Sequence, residues 1–268
     1  MSANTPSNWP DSIRGINDLA EPAKLAIYRT LLPDWVFPTF GIDPVDHTIR
    51  GVRVVHIRCP AGSSSVEISV YNAPESTEPA LYLHMGDSFN AQLVVFMVVI
   101  NDPTSSRYNV DRDEDGRPNQ LGLGRRNIPE EIRAMQAGLA PGQVRRGLRA
   151  FRTMLPAFEA FVRAMGHALF FIEPLFYHNA ITFERFGFSY AHGLQLMKTI
   201  HQEFLPGGGL HQRLDGSTPF RSPDAWRSVT GRSWALHDGL LGRPFTGVQM
   251  YKRVGYDAQV ETFPGARW

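Results

Sequence analysis

The chain has one cysteine, Cys59, among its 268 residues, so no internal disulfide can form. Neither sign of charge is in excess: 27 Lys and Arg stand against 26 Asp and Glu, a formal net charge of +1. That removes a global field as a reason to bind nucleic acid or a membrane surface. Long apolar runs are missing too. The most apolar stretch, Leu93 to Ile100, is far short of the ~20 residues a helix needs to span a bilayer. The first thirty residues lack a basic start followed by an apolar run and a cleavage site, and the chain shows no internal repeat and no low-complexity tract. The expectation is a reduced, cytoplasmic protein with no nucleic-acid partner and no membrane span.

What is present is ordinary globular usage, 43% apolar and 20% charged, which argues against long disorder and supplies enough for a real core. The length suits one large domain or two small ones. Residues 1–10 read as a flexible polar start. Asp18 to Val36 has the apolar spacing of an amphipathic helix, with Pro33 near its end. From Gly51 to Asp102 the period changes to two, in runs Val52 to Cys59, Val66 to Tyr71, Ala80 to His84 and Gln92 to Asn101, separated by turn clusters. This predicts an antiparallel meander of about four strands, the last apolar enough to be buried on both faces. A polar, Gly-rich loop follows from Pro103 to Asn127, then a short helix from Pro129.

Pro141 is expected to begin a longer helix, with the three-four stripe Val144, Leu148, Phe151, Leu155, Phe158, Val162, Met165 and Gly166 as its stop. Ala168 to Ile172 reads as a strand, His192 to Phe204 as a helix, and Val248 to Val254 and Ala258 to Phe263 as two closing strands. Sheet, helix, strand, helix in succession is the grammar of an α/β or α+β layer.

The stretch Asn179-Ala180-Ile181-Thr182-Phe183-Glu184-Arg185-Phe186-Gly187-Phe188 resembles the Asn-x-x-Ala-x-x-x-Tyr-Glu-x-x-Gly-Phe signature of the GNAT superfamily of N-acetyltransferases, with the Asn-to-Ala spacing shortened. The elements from Pro141 to Glu173 sit where that family has its cofactor helix and the following strand, and Val248 to Val254 is similar to its closing strand. The resemblance implies a single domain over 1–268, of α/β (α+β) class: an acetyltransferase-like mixed central sheet flanked by helices. An N-terminal helix is added, and an insertion at 189–246 covers the substrate side. It also implies acetyl-CoA or another acyl-CoA as cofactor and a small amine as substrate, with a homodimer left open.

In that family a Gly-containing loop and a helix N-terminus cradle the pyrophosphate of coenzyme A, because backbone N–H groups and the helix dipole favour an anion. The loop usually reads Gln/Arg-x-x-Gly-x-Gly/Ala. Here Val144-Arg145-Arg146-Gly147-Leu148-Arg149 keeps only the glycine and the basic character. Arg145, Arg146, Gly147 and Arg149, with Asn179, are therefore the cofactor-binding candidates. Asn119-Gln120-Leu121-Gly122-Leu123-Gly124 is a second candidate loop. Gly147 as a point where another backbone comes close, with the arginines on a solvated face, is the plain alternative. Acyl transfer needs an acid and a base. Phe183 stands where the family often has a tyrosine acid, so Tyr177, or Tyr190, would substitute. Glu173 and His178 are the candidate bases, and His84 a third.

Two other patterns bear on metals. Asp111 to Gly116 opens like a calcium loop, but its twelfth position is Gly122, so a calcium site would need Glu130 or Glu131 to fold back. His192 and His201 are nine residues apart, on opposite faces of a helix, and do not chelate one ion. Glu173, His178 and the pair His237-Asp238 would have to converge in space. No metal ligand is assigned. The alternative to acyl transfer is a protein that keeps the acetyltransferase fold and binds a small ligand or metal.

Overall fold

A computed structural model describes residues 9–119 and 125–268. In chain order the helices are α1 Ile13–Asn17, α2 Glu21–Arg29, α3 Val36–Phe40, α4 Ile128–Gln136, α5 Phe151–Ala164, α6 Tyr177–Arg185, α7 Leu194–Phe204, α8 Gly209–Gln212 and α9 Val229–His237. The strands are β1 Thr48–Ile49, β2 Val52–Arg53, β3 Val55–Arg58, β4 Ser65–Val70, β5 Leu81–Asp87, β6 Leu93–Ile100, β7 Leu169–Ile172, β8 Ser189–His192 and β9 Gln249–Arg253. Strands β1 and β2 form a hairpin, and seven strands form a mixed sheet in the order β3-β4-β5-β6-β7-β9-β8. Among the described residues no helix is long and apolar enough to cross a membrane.

The chain falls into two compact units. The first holds the residues up to Pro103, Gly147–Ile172 and Lys252–Tyr256. Its centre is the meander β3 to β6, antiparallel throughout, and in β4 the alternation is clean: Val66, Ile68 and Val70 are buried while Ser65, Glu67 and Ser69 are not. Strand β6 is less enclosed than its composition suggests, since Phe96 is 46% exposed. Helix α1 is fixed at both ends by side chains. Asp87 at the end of β5 accepts from the N–H groups of Ile13 (2.8 Å) and Arg14 (2.9 Å), a carboxylate at a helix N-terminus. Buried Asn17 donates to the Ser63 and Ser65 carbonyls and accepts from the Tyr28 hydroxyl. The single helix expected over 18–36 is the shorter α2, Glu21–Arg29, with α1 ending before it at Asn17 and α3 starting only at Val36. Pro22 starts α2, and the chain turns after Arg29, before α3 ends at Gly41 with φ +66°.

Helix α5 carries the expected stripe from Phe151 on, with Val162 and the capping Met165 buried, Phe161 buried beside them, and Gly166 at φ +84° beyond. Phe158 meets Phe170 of β7 edge-on at 4.7 Å. Glu159 of α5 pairs with Lys252 at 3.3 Å and accepts from the Gly255 N–H, tying the end of β9 to this helix. The helix does not begin at Pro141. Residues 141–150 are turns and one bridge, because Gly142 (φ +75°) packs against the Phe176 ring, Gly147 pairs with Asn101, and Arg149 adopts φ +56°.

The second unit holds Thr104–Arg146, Glu173–Tyr251 and Asp257–Trp268. Val110, Ala134, Leu139, Phe220 and Trp234 form one of its cores, and the Trp234 indole donates to the Leu139 carbonyl at 2.8 Å. The short helix expected from Pro129 is α4, capped by Asn127. The expected helix over 192–204 is α7, preceded by a strand, β8, that no alternation announces. Strand β9 matches the expected closing strand, but 258–263 is irregular. Gln259 sits at φ +52°, and the Thr262 N–H is taken by a side chain, the Glu184 carboxylate, at 2.9 Å. No strand ladder can form there.

Gly187, in the resemblance segment, is fixed by this irregular stretch: it has φ +76°, and a Cβ on it would lie 2.9 Å from the Asp257 Cα. Gly187→Ala should cost about 1–3 kcal/mol, read from the urea midpoint; an unchanged midpoint would show that the 257–266 segment gives way freely.

Candidate functional site

Two places gather functional side chains or open backbone, one in each unit. In the first unit the parallel pairing of β6 with β7 is short, Val94 with Phe171 and Val95 with Ile172. The next residue, Phe96, has no partner on β5 either, since Met85 pairs with Val95 and His84 with Met97. That is a β-bulge, an extra residue that bends the strand and ends the pairing beside it. Met97 to Ile100 therefore continue with β5 as their strand partner and β7 gone. Gly86 makes room for the bulge, because a Cβ there would meet the Phe96 ring at 2.9 Å and the Ser64 carbonyl at 2.6 Å. His84 lies against Phe96, with ring centroids 5.0 Å apart.

Beyond β6, Asn101 bridges to Gly147, and a Cβ on Gly147 would come 3.2 Å from the Ile100 carbonyl. The plain reading of that glycine as a point of close backbone approach describes the observed contact. Four residues later α5 begins, with Ala150 as its N-cap and no side chain capping it. Arg149 and Arg152 are exposed at this end. The other two arginines of the expected loop lie in the second unit and serve its own turns. Arg145 donates to the Ser105 carbonyl, while the Arg146 N–H donates to Ser105 Oγ and its guanidinium to the Ala137 carbonyl. In the alternative loop, Asn119 is buried and donates to the Val110 carbonyl, and residues 120–124 lie outside the described residues.

In the second unit Tyr177, His178 and Asn179 form the first turn of α6. Asn179 reaches back: its Oδ1 accepts from the Phe176 N–H at 3.1 Å, as a helix-start residue at the third position does. That fixes the amide, so Asn179 Nδ2 faces His178 Nε2 at 3.1 Å. Nε2 must then be the bare nitrogen, and the ring proton sits on Nδ1, 3.0 Å from Ser233 Oγ. His178 is 3% exposed, and burial, with a smaller electrostatic contribution from the neighbouring His237, lowers its pKa to about 3. Both nitrogens are used and the ring is neutral, so His178 ties α6 to α9. Tyr177 is equally enclosed: burial pushes its hydroxyl up to about 12, Arg232 opposing. Glu173 is exposed and accepts from Gln249 at 3.3 Å.

Arg232 is 1% exposed and lies 3.6 Å over the Phe263 ring. Its Nε donates to the Trp226 carbonyl and its Nη1 to His201 Nδ1. Glu131 is also buried. Burial pushes its carboxyl up, but hydrogen bonds from His237 (3.1 Å) and Arg126 outweigh that and hold it below the usual range. Asp238 completes this network with Arg126 at 3.0 Å, Arg221 at 2.8 Å and Thr218 at 2.8 Å. These groups satisfy one another.

The metal readings find no support in this geometry. Asp113 Oδ1 accepts from the Asp115 and Arg117 N–H groups, Asp111 pairs with Arg107 at 2.8 Å, and Glu130 and Glu131 are held by Arg133 and Arg126. Gly122 lies outside the described residues. Among those described, no group of three or more His, Cys, Asp or Glu is placed to hold an ion.

Sequence reasoning did not assign the partners of Ser233, Thr262 and Arg232, although it marks Arg232-Ser233-Trp234 as a candidate pocket mouth or a packed loop. Each acts on a residue at least 31 positions away in the chain, and no spacing rule reaches that far. Comparison with protein-family models, curated proteins and solved structures finds no match.

The folded value of His178 lies below its ordinary 6.5, so the stability it contributes is complete above pH 6.5 and is lost as pH falls toward 3. Urea midpoints should decline across that interval. His178→Leu should lower stability above pH 6.5 by about 1–3 kcal/mol, through the stranded Ser233 and Asn179, and should flatten the acid decline. An equally steep decline in the variant would assign it to other groups.

Proposed function

We propose that this chain binds an acyl-coenzyme A and transfers its acyl group to a small amine, on an acetyltransferase-like fold. The observation that carries the proposal is the parting of β6 from β7 after Val95. It leaves a strand edge, Met97 to Ile100, with no strand on one side among the described residues, and a glycine bridge and a helix start without a side-chain cap just beyond it. An arm with two amides, as pantetheine is, can hydrogen-bond to such an edge as an added strand would. The diphosphate suits the backbone of 148–152 at the start of α5, with Arg149 and Arg152 as cations. Bound there, the cofactor supplies a thioester whose carbonyl is open to an amine nucleophile.

The order of elements supports the family resemblance: meander, helix α5, strand β7, signature helix α6 and closing strand β9. Arg145, Arg146 and Asn179 have partners in the second unit, so the proposal rests on Gly147, Arg149 and the β6 edge.

A second reading keeps the fold and the ligand but drops the transfer, and it too has an observation. His178 has no free lone pair, Tyr177 is buried, and Phe183 packs on Phe188 at 5.1 Å where a proton donor would stand. Glu173 is then the one exposed base candidate of the three. Calorimetry should show saturable binding of acetyl-coenzyme A, and Arg149→Glu should weaken it by about tenfold, roughly 1.4 kcal/mol. No heat with acetyl-coenzyme A or longer acyl-coenzyme A would end the first reading. Binding without thiol release in the presence of small amines would select the second.

A further inference from the structure

The strand edge that suits a pantetheine arm is closed at one end. Val94 and Val95 pair with Phe171 and Ile172, so an arm lying along Met97 to Ile100, in line with β7, runs into β7 itself. Its diphosphate end belongs at 148–152, beyond Ile100, and the end that meets β7 is therefore the thioester. An acyl chain attached there must leave the plane of the sheet.

One of the two faces is filled. Met85, Val95, Phe170 and Ile172 are each 5% exposed or less, and Phe158 of α5 lies on the Phe170 ring. A chain forced among them would overpack the core.

The other face is open and apolar. In β7 burial alternates, so that Leu169 and Phe171 are partly exposed while Phe170 and Ile172 are not. Val94, the direct partner of Phe171, is partly exposed as well. Phe96 is 46% exposed, and its ring, turned over Gly86 and against His84, walls this strip on the β5 side. Exposed apolar residues scattered singly are ordinary, but a contiguous strip is not. From Phe96 back to Leu93 the strand covers about 10 Å, at ~3.3 Å per residue. Before Leu93 the turn carries Phe89, wholly exposed.

We propose that the strip formed by Val94, Phe96, Leu169 and Phe171 holds the acyl chain, and that this protein prefers a medium-chain acyl-coenzyme A to acetyl-coenzyme A. The inference rests on the acyl-coenzyme A reading and adds the acyl class to it. Apolar carbon covering apolar side chains is the driving force, so affinity rises with chain length until the strip is covered.

Acetyl- and octanoyl-coenzyme A, titrated by calorimetry, are the probes. The octanoyl form should bind at least about tenfold more tightly. The ratio of the two affinities is the readout, because the arm and the diphosphate are common to both and cancel. Val94→Asp places a charge on the strip and should bring that ratio to within about twofold of one. Leu169→Ser, on the neighbouring strand, should lower it severalfold and decides the matter if Val94→Asp does not fold. Saturable binding of both with equal affinity would overturn this inference and leave the acyl-coenzyme A reading standing, whereas no heat with either would overturn both. An octanoyl preference unchanged in the variants would place the chain elsewhere and overturn the inference too. Equal affinities, with light scattering showing a dimer that Val94→Asp dissociates, would assign the strip to a second copy of the chain instead.

Discussion

The parting of β6 from β7 is the constraint from which the functional argument follows. Two parallel strands normally stay paired because each lost ladder bond leaves polar backbone to be satisfied elsewhere. Here the bulge at Phe96 ends the pairing after two residues, and Gly86 on the neighbouring strand has no side chain to oppose the Phe96 ring. The backbone past Phe96 keeps one partner strand and gains a bridge to Gly147, which brings the loop before α5 to the end of the same strand. An open strand edge, a glycine and a helix start are thus arranged in succession by one irregularity. Each alone is common; their succession along one edge matches the shape of an extended ligand that ends in an anion.

The second unit uses buried polar side chains as fasteners. Glu184 holds Thr262 and Tyr190, His178 holds Ser233, and Glu131 holds Arg126 and His237. Such contacts add little net stability when complete, but each partner left alone in the interior costs more than the bond contributed. They therefore specify one packing. Residues that look reactive in the chain are consumed in this work, His178 most clearly.

Much of the first unit was legible in the sequence. The alternation of Val66, Ile68 and Val70 and the turn clusters between runs located the meander, because a half-buried strand forces period two on its own residues. The stripe through Phe158, Val162 and Met165 located α5 for the same kind of local reason. Its beginning was misread because backbone at Gly142, Gly147 and Arg149 is committed to distant partners and left-handed geometry, which composition does not record. Residues 258–263 have strand-like composition, yet Glu184, 78 positions earlier, takes the Thr262 N–H. The bases were visible only as residue types. Whether His178 could act depended on Asn179 and Ser233 fixing its tautomer, and Ser233 is 55 residues away.

Hydrogen–deuterium exchange with and without acetyl-coenzyme A reads the β6 edge and the start of α5 separately. Ligand-dependent protection should concentrate in two stretches, 96–101 along β6 and 147–152 at the start of α5. Protection confined to other segments, or an exchange pattern indifferent to the ligand at saturating concentration, would contradict it.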